Sequence, residues 1–181
     1  MIIKNEKCNN LSRNEITNII KLLKLVWPPK DNNFNKVEDE VDNYIKSNKK
    51  SEVILIIEND ILIAHAKTFL RKIFYNNNSL EVIALSGVCV SPNKRGEGLG
   101  KKLILKAFKK IDNSDYKVCL LQTEIPLFYK KLGAKIINNR FYNNKDKENS
   151  QKNPWRDNYI MIYPNNYKWP NEDIDLNGPG Y

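Results

Sequence analysis

A glycine-rich segment with basic neighbours is the clearest chemical feature of the sequence. It reads Arg95-Gly96-Glu97-Gly98-Leu99-Gly100 and stands between a run typical of a strand and a run typical of a helix. Glycines let the backbone curl and turn its amides toward an anion. The start of the following helix adds unpaired N–H groups and the positive end of its dipole. With Lys94, Arg95, Lys101 and Lys102 close by in sequence, the segment predicts a cradle for a diphosphate.

Two common nucleotide-binding motifs do not fit this segment. A P-loop requires Ser or Thr after its Gly-Lys pair, whereas Gly100-Lys101 is followed by Lys102. The dinucleotide fingerprint requires a third glycine at position 101, which is lysine here. A glycine-rich turn that binds no ligand is the remaining alternative. The agreement of strand, loop, charge and helix weighs against it.

The elements that position this segment can be predicted from periodicity and turn signals. Ser12 followed by Glu15 is a capping box, which predicts a helix that ends before Pro28. The remaining elements before the glycine-rich segment are a helix from Val37 to Ile45 and strands at Glu52–Glu58, Ile61–Leu70 and Leu80–Val90, with turns at Asn59-Asp60 and Asn76–Ser79.

The second half of the chain is also predicted to contain both helices and strands. The predicted elements are a helix from Leu99 to Ile111, a strand at Val118–Thr123, a short helix at Leu127–Leu132, and strands at Lys135–Ile137 and Tyr159–Tyr163. We expect Phe141–Asn153 to be a loop. This order predicts a single α/β domain over residues 1–163, with a mixed central sheet flanked by helices and a parallel crossover between Leu80 and Thr123. An irregular, acidic and aromatic tail is expected over residues 164–181.

Two motifs resemble those of the GNAT superfamily of N-acetyltransferases. The first, a strand ending in V-x-V-x-P followed by R/Q-x-x-G-x-G/A, is matched by residues 88–100, VCVSPNKRGEGLG. The second, an aromatic-rich short helix after the next strand, is matched by residues 128–134, FYKKLGA. The resemblance implies a GNAT-like fold with splayed parallel strands and acetyl-CoA as cosubstrate, without a metal ion. It also implies acetyl transfer to a primary amine by direct attack in a ternary complex.

The family pattern also implies roles for individual residues. The amides of Arg95, Gly96, Gly98, Gly100 and Lys101 would hold the pyrophosphate. Backbone groups of Val88 and Val90 would pair with the pantetheine arm, and Gly87 is where a bulge in that strand costs least. Tyr129 matches the tyrosine that faces the thiolate sulfur and is implied as the general acid. A core tyrosine on an amphipathic helix is the alternative.

The general base is less clearly indicated. Many relatives carry a Glu on the strand before the cofactor loop, but residues 82–87 read VIALSG. Glu124, at the end of the next strand, is the first candidate and Glu81 is the second. His65 is the only histidine and has a suitable intrinsic pKa, although a hydrogen-bonded structural histidine is the simpler interpretation. An amine that arrives deprotonated would need no dedicated base.

The acceptor is expected to be a small molecule, for which the tail suggests a polycationic amine. Glu172, Asp173 and Asp175 are acidic, and four aromatic residues, Trp155, Tyr159, Tyr163 and Trp169, could line the same side. The hypothesis is that the tail covers the acceptor site, and a solvated, frayed tail is the alternative. A protein or peptide amine acetyltransferase and a non-catalytic acyl-CoA-binding regulatory module remain alternative functions.

Composition and charge limit the kinds of partner that are expected. The chain of 181 residues has a net charge of +9, but its basic residues are dispersed and five of them are arginine, so nucleic acid is not expected as a partner. No apolar run approaches the length of a membrane helix, and no secretory signal is visible. Cys89 and Cys119 lie in apolar runs and are predicted to be buried free thiols. We expect a cytoplasmic protein without a membrane partner, and a homodimer remains open.

Overall fold

The computed structural model describes residues 1–29, 36–113 and 116–181. They form two compact units. The first consists of Met1–Phe69 and Gly87–Ala107, and the second consists of Leu70–Ser86 and Phe108–Tyr181. Strands β3 (Ile61–Tyr75) and β4 (Asn78–Val90) and helix α3 (Leu99–Asp112) contribute residues to both units.

An antiparallel arrangement of strands forms the sheet of the first unit. Strand β1 (Ile2–Lys7) pairs with β2 (Glu52–Glu58), and β2 pairs with β3. The β2–β3 turn is made by Asn59 and Asp60 at φ +48° and +62°, the left-handed conformation that a tight hairpin requires. The predicted hairpin is therefore confirmed. The prediction missed β1, because its polar sequence IIKNEK lies mostly exposed at the edge of the sheet and lacks a buried strand's pattern.

Helices α1 (Arg13–Val26) and α2 (Val37–Asn48) pack on this sheet. The predicted capping box is present: Glu15 N donates to Ser12 Oγ at 3.2 Å, and Ser12 N donates to Glu15 Oε2 at 2.8 Å. Helix α2 ends three residues later than predicted. One buried core unites the two helices with β2, and its members are Cys8, Leu11, Ile16, Ile19, Val41, Val53 and Leu55.

The predicted parallel crossover is confirmed in the second unit. Strand β4 pairs in parallel with β5 (Cys119–Thr123) through Ile83↔Cys119 and Ala84↔Leu120. Among the described residues, the registered pairing of β5 with β4 ends at Leu120, whereas its other edge stays paired as far as Thr123. Helix α3 connects the two strands. Its apolar residues Leu103, Ile104, Ala107, Phe108 and Ile111, which the sequence predicts to form one face, are buried, and so is Leu99.

Antiparallel strands complete the sheet of the second unit. Strand β8 (Tyr159–Tyr163) pairs with β5 and with β6 (Lys135–Ile137), and both have the predicted bounds. Helix α4 (Pro126–Lys130) lies between β5 and β6, and is shorter than predicted. The parallel and antiparallel pairs together make a mixed sheet with helices, as the sequence predicts.

Two segments predicted to be irregular contain short strands. Phe141 and Tyr142 form β7 inside the predicted loop, and Ile174 and Asp175 form β9 inside the predicted tail. Strand β9 pairs with β7 and also with Phe74 of β3. Ile174 and Leu176 have no exposed surface, so the alternative of a frayed, solvated tail is wrong for this part of the chain. Two-residue strands carry too little periodicity to be recognised in sequence.

The three cysteines, Cys8, Cys89 and Cys119, are buried free thiols, which confirms the prediction for the last two. None of the helices in the described ranges combines the length and apolarity needed to cross a bilayer.

Candidate functional site

The glycine-rich loop is anchored where β4 ends. Ser91 is buried, its amide donates to the Ile63 carbonyl at 2.8 Å, and its hydroxyl donates to Asn93 Oδ1 at 2.7 Å. A single 3-10 turn, Pro92–Lys94, leads from it into the loop. The chain is thus fixed on one side by strand β4 and on the other by helix α3, and the loop between them is held at both ends.

Gly96 and Gly98 have backbone conformations that favour glycine strongly. Their φ angles are +87° and +74°, and a Cβ built on either would have no heavy atom within 4 Å. Gly133, at φ +89°, instead lies under the Tyr163 ring, whose Cε2 would be 3.3 Å from such a Cβ. The two loop glycines therefore face open space, which leaves their backbone accessible to a ligand.

The amino end of α3 directly follows these glycines. Lys102 N donates to the Gly98 carbonyl at 3.1 Å, which makes this the first intrahelical bond. Lys102 is therefore the first residue whose amide bonds to the carbonyl four residues earlier, and the amides of Leu99, Gly100 and Lys101 come before it. Together with the positive end of the helix dipole, they favour an anion at this point. The predicted residues Arg95, Gly96, Gly98, Gly100 and Lys101 thus form one continuous segment of loop and helix start.

Lys94 contributes less free charge than its position in the sequence suggests. Its ammonium donates to Glu58 Oε2 across the first unit and lies 3.9 Å from Glu97 Oε1. This pairing raises the pKa of Lys94 and lowers that of Glu58. The prediction that Lys94 adds free positive charge to the cradle is corrected, and the exposed Arg95, Lys101 and Lys102 supply that charge.

Strand β4 runs through Gly87, whose backbone conformation is unusual, just before Val88 and Val90. Gly87 has φ +59°, and its carbonyl accepts a hydrogen bond from His65 Nδ1 at 2.8 Å. A Cβ on Gly87 would lie 3.3 Å from His65 Cε1, so this glycine also allows close packing. Gly87 thus has the left-handed backbone conformation that favours glycine, and the histidine ring fills the space where a side chain would lie. Val88 and Val90 are half-buried beyond it.

His65 is a structural histidine. It is 1% exposed, and burial lowers its pKa to about 4, so the ring is neutral near pH 7. Because the Gly87 carbonyl can only accept, Nδ1 carries the proton and Nε2 has the lone pair. Nε2 is buried and has no hydrogen-bond partner in the described part of the chain. The buried ring supports the conformation of Gly87, and this position does not suit a general base.

Stability is expected to depend on pH through His65. Its pKa falls from 6.5 to about 4 on folding, so only the unfolded state binds the proton between these values. The stabilisation is therefore present above pH 6.5 and is lost as the pH falls toward 4, with a total of roughly 3 kcal/mol. Chemical denaturation at pH 7 and pH 4.5 measures this loss. The His65→Gln variant should lose clearly less stability over the same interval, and an equal loss in both proteins would contradict the assignment.

In the second unit, Glu124 follows the carboxyl end of β5. It is exposed, and both carboxylate oxygens accept hydrogen bonds from Asn158, from the backbone amide at 2.8 Å and from Nδ2 at 3.0 Å. These bonds hold Glu124 against the segment that precedes β8. Glu81, the second candidate base, is an exposed residue of β4.

Tyr129 lies on α4 near the same end of β5. The residue is 5% exposed, and burial raises the pKa of its hydroxyl well above the usual value. Electrostatic interactions with Cys119 and Asp157 raise this pKa further. The hydroxyl is therefore protonated throughout the physiological range, which is the state that a general acid requires.

Asp157 is a candidate that sequence reasoning missed. It is half-buried, and burial together with the nearby Glu124 raises its pKa. Its backbone amide and that of Arg156 donate to Gln122 Oε1 at 3.0 and 2.8 Å, which ties this loop to strand β5. No sequence pattern distinguishes Asp157 from other polar loop residues, because its proximity to Glu124 depends on the β5–β8 pairing.

The four aromatic residues expected to line one acceptor surface do not all share one, since Trp155 and Tyr159 line a common cavity and Tyr163 and Trp169 do not. Trp155 is buried and packs edge-on against Phe141 and Tyr181. Tyr163 stacks on Phe108 with ring centroids 3.8 Å apart, and Trp169 Nε1 donates to Asn139 Oδ1 at 2.8 Å. Tyr159 is exposed. The expectation of a shared stacking surface is therefore wrong.

The acidic residues of the tail have partners within the second unit. Asp173 forms an ion pair with Arg140 at 3.0 Å, and Glu172 accepts from Asn76. Asp175 is buried and accepts from the amides of Asn144 and Asn177. These carboxylates stabilise the fold of the tail, which does not favour their use in binding a polycation.

The comparisons with a family model and with solved structures agree with one another. The model of the acetyltransferase (GNAT) domain matches residues 7–137. A GNAT family acetyltransferase from Brucella melitensis, solved in complex with acetyl-CoA, has a TM-score of 0.62 at 14% identity, over 96% of this chain and 95% of that chain. Escherichia coli ElaA has a TM-score of 0.61 at 17% identity, over 89% and 97% of the respective chains.

A GCN5-related N-acetyltransferase from Kribbella flavida is also similar, with a TM-score of 0.58 at 14% identity. The similarity covers 75% of this chain and 33% of the Kribbella flavida chain. No protein of curated function matches the sequence. At these identities the solved structures establish the fold.

Proposed function

Since the chain belongs to the GNAT acetyltransferase family, we propose that it is an N-acetyltransferase that uses acetyl-CoA to acetylate a primary amine. The single observation that carries the proposal is the segment from Arg95 to Lys101. It offers two glycines with open faces, a helix start and exposed cations in one short stretch. The complex of the Brucella melitensis relative with acetyl-CoA supports the choice of donor.

The cradle residues suit the pyrophosphate of acetyl-CoA. The amides of the predicted binding residues, which belong to Arg95, Gly96, Gly98, Gly100 and Lys101, would donate to its oxygens, and the cationic side chains would balance its charge. Backbone groups of Val88 and Val90 would hold the pantetheine arm in the manner of an added strand. His65 supports this segment by holding the Gly87 carbonyl.

Bound acetyl-CoA supplies an activated thioester, whose acyl group passes to the amine as the N–C bond forms and the C–S bond breaks. Tyr129 is protonated and would give its proton to the departing sulfur. The carboxylates of Glu124 and Asp157 would accept the proton that the amine loses, directly or through water. Asp157 is the better suited of the two, because its pKa is raised and Glu124 is already bound to Asn158.

The experiment that tests the proposal measures release of free CoA thiol from acetyl-CoA in the presence of a panel of primary amines. The panel should include alkylamines, polyamines, amino sugars and lysine peptides. We expect thiol release that depends on the amine and is lost in the Arg95→Glu variant. Binding of acetyl-CoA without transfer to any amine would favour a non-catalytic acyl-CoA-binding module instead.

A further inference from the structure

A cavity of about 650 Å³ opens in the second unit beside Asp157. It lies between β6 with its following segment, residues 136–141, and the segment that leads into β8, residues 151–160. Thr123, the last residue of β5, pairs with Tyr159, and Ile137, the last residue of β6, pairs with Ile160. The cavity therefore opens at the same edge of the sheet as Glu124.

Five amide side chains line the cavity wall, and several of their polar atoms are available. Gln151 Oε1 accepts from Arg140, Asn153 Oδ1 accepts from the Trp155 amide, and Asn158 Nδ2 donates to Glu124. Within the described residues, this leaves Gln151 Nε2, Asn153 Nδ2 and Asn158 Oδ1 without a bond to the protein. The wall thus offers both donors and an acceptor, which is the combination that hydroxyl groups require.

The indole of Trp155 belongs to the same cavity wall and has an unsatisfied donor. Trp155 lines the cavity and is 7% exposed, and its Nε1 is a buried donor that no acceptor in the described residues satisfies. An unsatisfied buried donor is unusual in a folded protein, because its desolvation is not compensated. The indole N–H is therefore an unsatisfied donor in a residue of the cavity wall.

The charges of the cavity favour an ammonium group. Arg140 is balanced by its ion pair with Asp173, whose Oδ2 is 3.0 Å from Nη1. Asp157 has no hydrogen-bond partner for its carboxylate among the described residues, and its neighbour Glu124 is also acidic. A cation is therefore favoured at this end of the cavity, whereas none of the described residues that line it is an unpaired cation that could receive a phosphate.

We propose that this cavity is the acceptor site and that it binds a polyhydroxylated primary amine of the amino-sugar class without a phosphate group. The ammonium would be held by Asp157 and the hydroxyls by the amides of Gln151, Asn153 and Asn158. The inference rests on the proposed function, because it takes the ligand of this cavity to be the amine that the proposed reaction acetylates.

The test compares three probe amines in the thiol-release assay: glucosamine, glucosamine 6-phosphate and hexylamine. We expect glucosamine to have the highest kcat/KM of the three. The Asp157→Asn variant should raise the KM for glucosamine about tenfold or more, since a hydrogen bond to a charged group is lost, while the dissociation constant of acetyl-CoA stays unchanged. Glu148→Gln is the matched control, because it removes one carboxylate from the exposed part of the same loop.

A preference for hexylamine or for the phosphorylated sugar would overturn the assignment of the ligand class. Equal KM values in the wild type, Asp157→Asn and Glu148→Gln would overturn the assignment of the site. In either case, continued transfer to another amine would leave the proposed function intact. If acetyl-CoA does not bind at all, the proposed function fails, and binding of glucosamine measured by saturation-transfer NMR still tests the cavity by itself.

Discussion

The Gly98→Ala variant is expected to bind acetyl-CoA at least about tenfold more weakly than the wild type. Gly98 has φ +74°, where a Cβ costs about 1–2 kcal/mol of backbone strain. The loop can relieve this strain only by rotating away from the conformation that presents its amides, and each 1.4 kcal/mol lost in binding is a factor of ten. Because the site faces open space, the cost comes from backbone conformation and not from a clash within the protein.

Gly133→Ala is the matched control for this variant. Gly133 also has positive φ, at +89°, but it lies against Tyr163 in the second unit. Both variants should lower the melting temperature, whereas only Gly98→Ala should weaken acetyl-CoA binding in calorimetry. Unchanged affinity in Gly98→Ala, or equal weakening in the two variants, would contradict the cradle.

The Tyr129→Phe variant is expected to lower kcat about a hundredfold or more, which is typical of losing a general acid. Tyr129 is 5% exposed, and phenylalanine has the same aromatic ring, so the ring stays in place. The dissociation constant of acetyl-CoA should therefore be unchanged. Stopped-flow or steady-state thiol release measures kcat, and calorimetry measures the affinity.

Tyr163→Phe serves as the control for removal of a hydroxyl. The Tyr163 hydroxyl donates to Asp112 Oδ1 at 3.1 Å on the surface of the second unit. Its loss should leave kcat within about twofold of the wild type. A kcat for Tyr129→Phe that matches Tyr163→Phe would show that Tyr129 is a core residue and not the acid.

Local sequence signals predicted much of the fold. The capping box at Ser12 and the hairpin turn at Asn59-Asp60 involve residues close in sequence, so their interactions can be inferred from residue type and spacing. Strands β2, β6 and β8 have the predicted bounds. Strand β9 could not be predicted, because it pairs with Phe74, about a hundred residues earlier.

The same difference between local and long-range interactions applies to the candidate site. Glycines at positions 96 and 98 were recognisable because their conformational freedom is a property of the residue itself. The pairing of Lys94 with Glu58 and the proximity of Asp157 to Glu124 depend on strands that meet only in the fold. Sequence reasoning therefore identified the glycine-rich segment, but it overestimated the free positive charge around it and missed Asp157.

The tail illustrates a further limit. Its acidic composition suggested a solvent-exposed cover for the acceptor, yet the Arg71 guanidinium donates to the carbonyls of Leu176, Asn177 and Pro179, and Leu176 is fully buried. Deleting residues 171–181 would therefore remove part of the core. Point substitutions in the cavity wall are the cleaner test of acceptor binding.

Calorimetry of the wild-type protein with acetyl-CoA, CoA and S-acetylpantetheine tests the central claim most directly. S-acetylpantetheine carries the thioester and the pantetheine arm but lacks the pyrophosphate and the 3′-phosphoadenosine attached to it. If the backbone of residues 95–101 holds the pyrophosphate, acetyl-CoA and CoA should bind with micromolar dissociation constants and S-acetylpantetheine at least about a hundredfold more weakly. Equal affinity for all three ligands, or no binding of acetyl-CoA and CoA, would contradict the account.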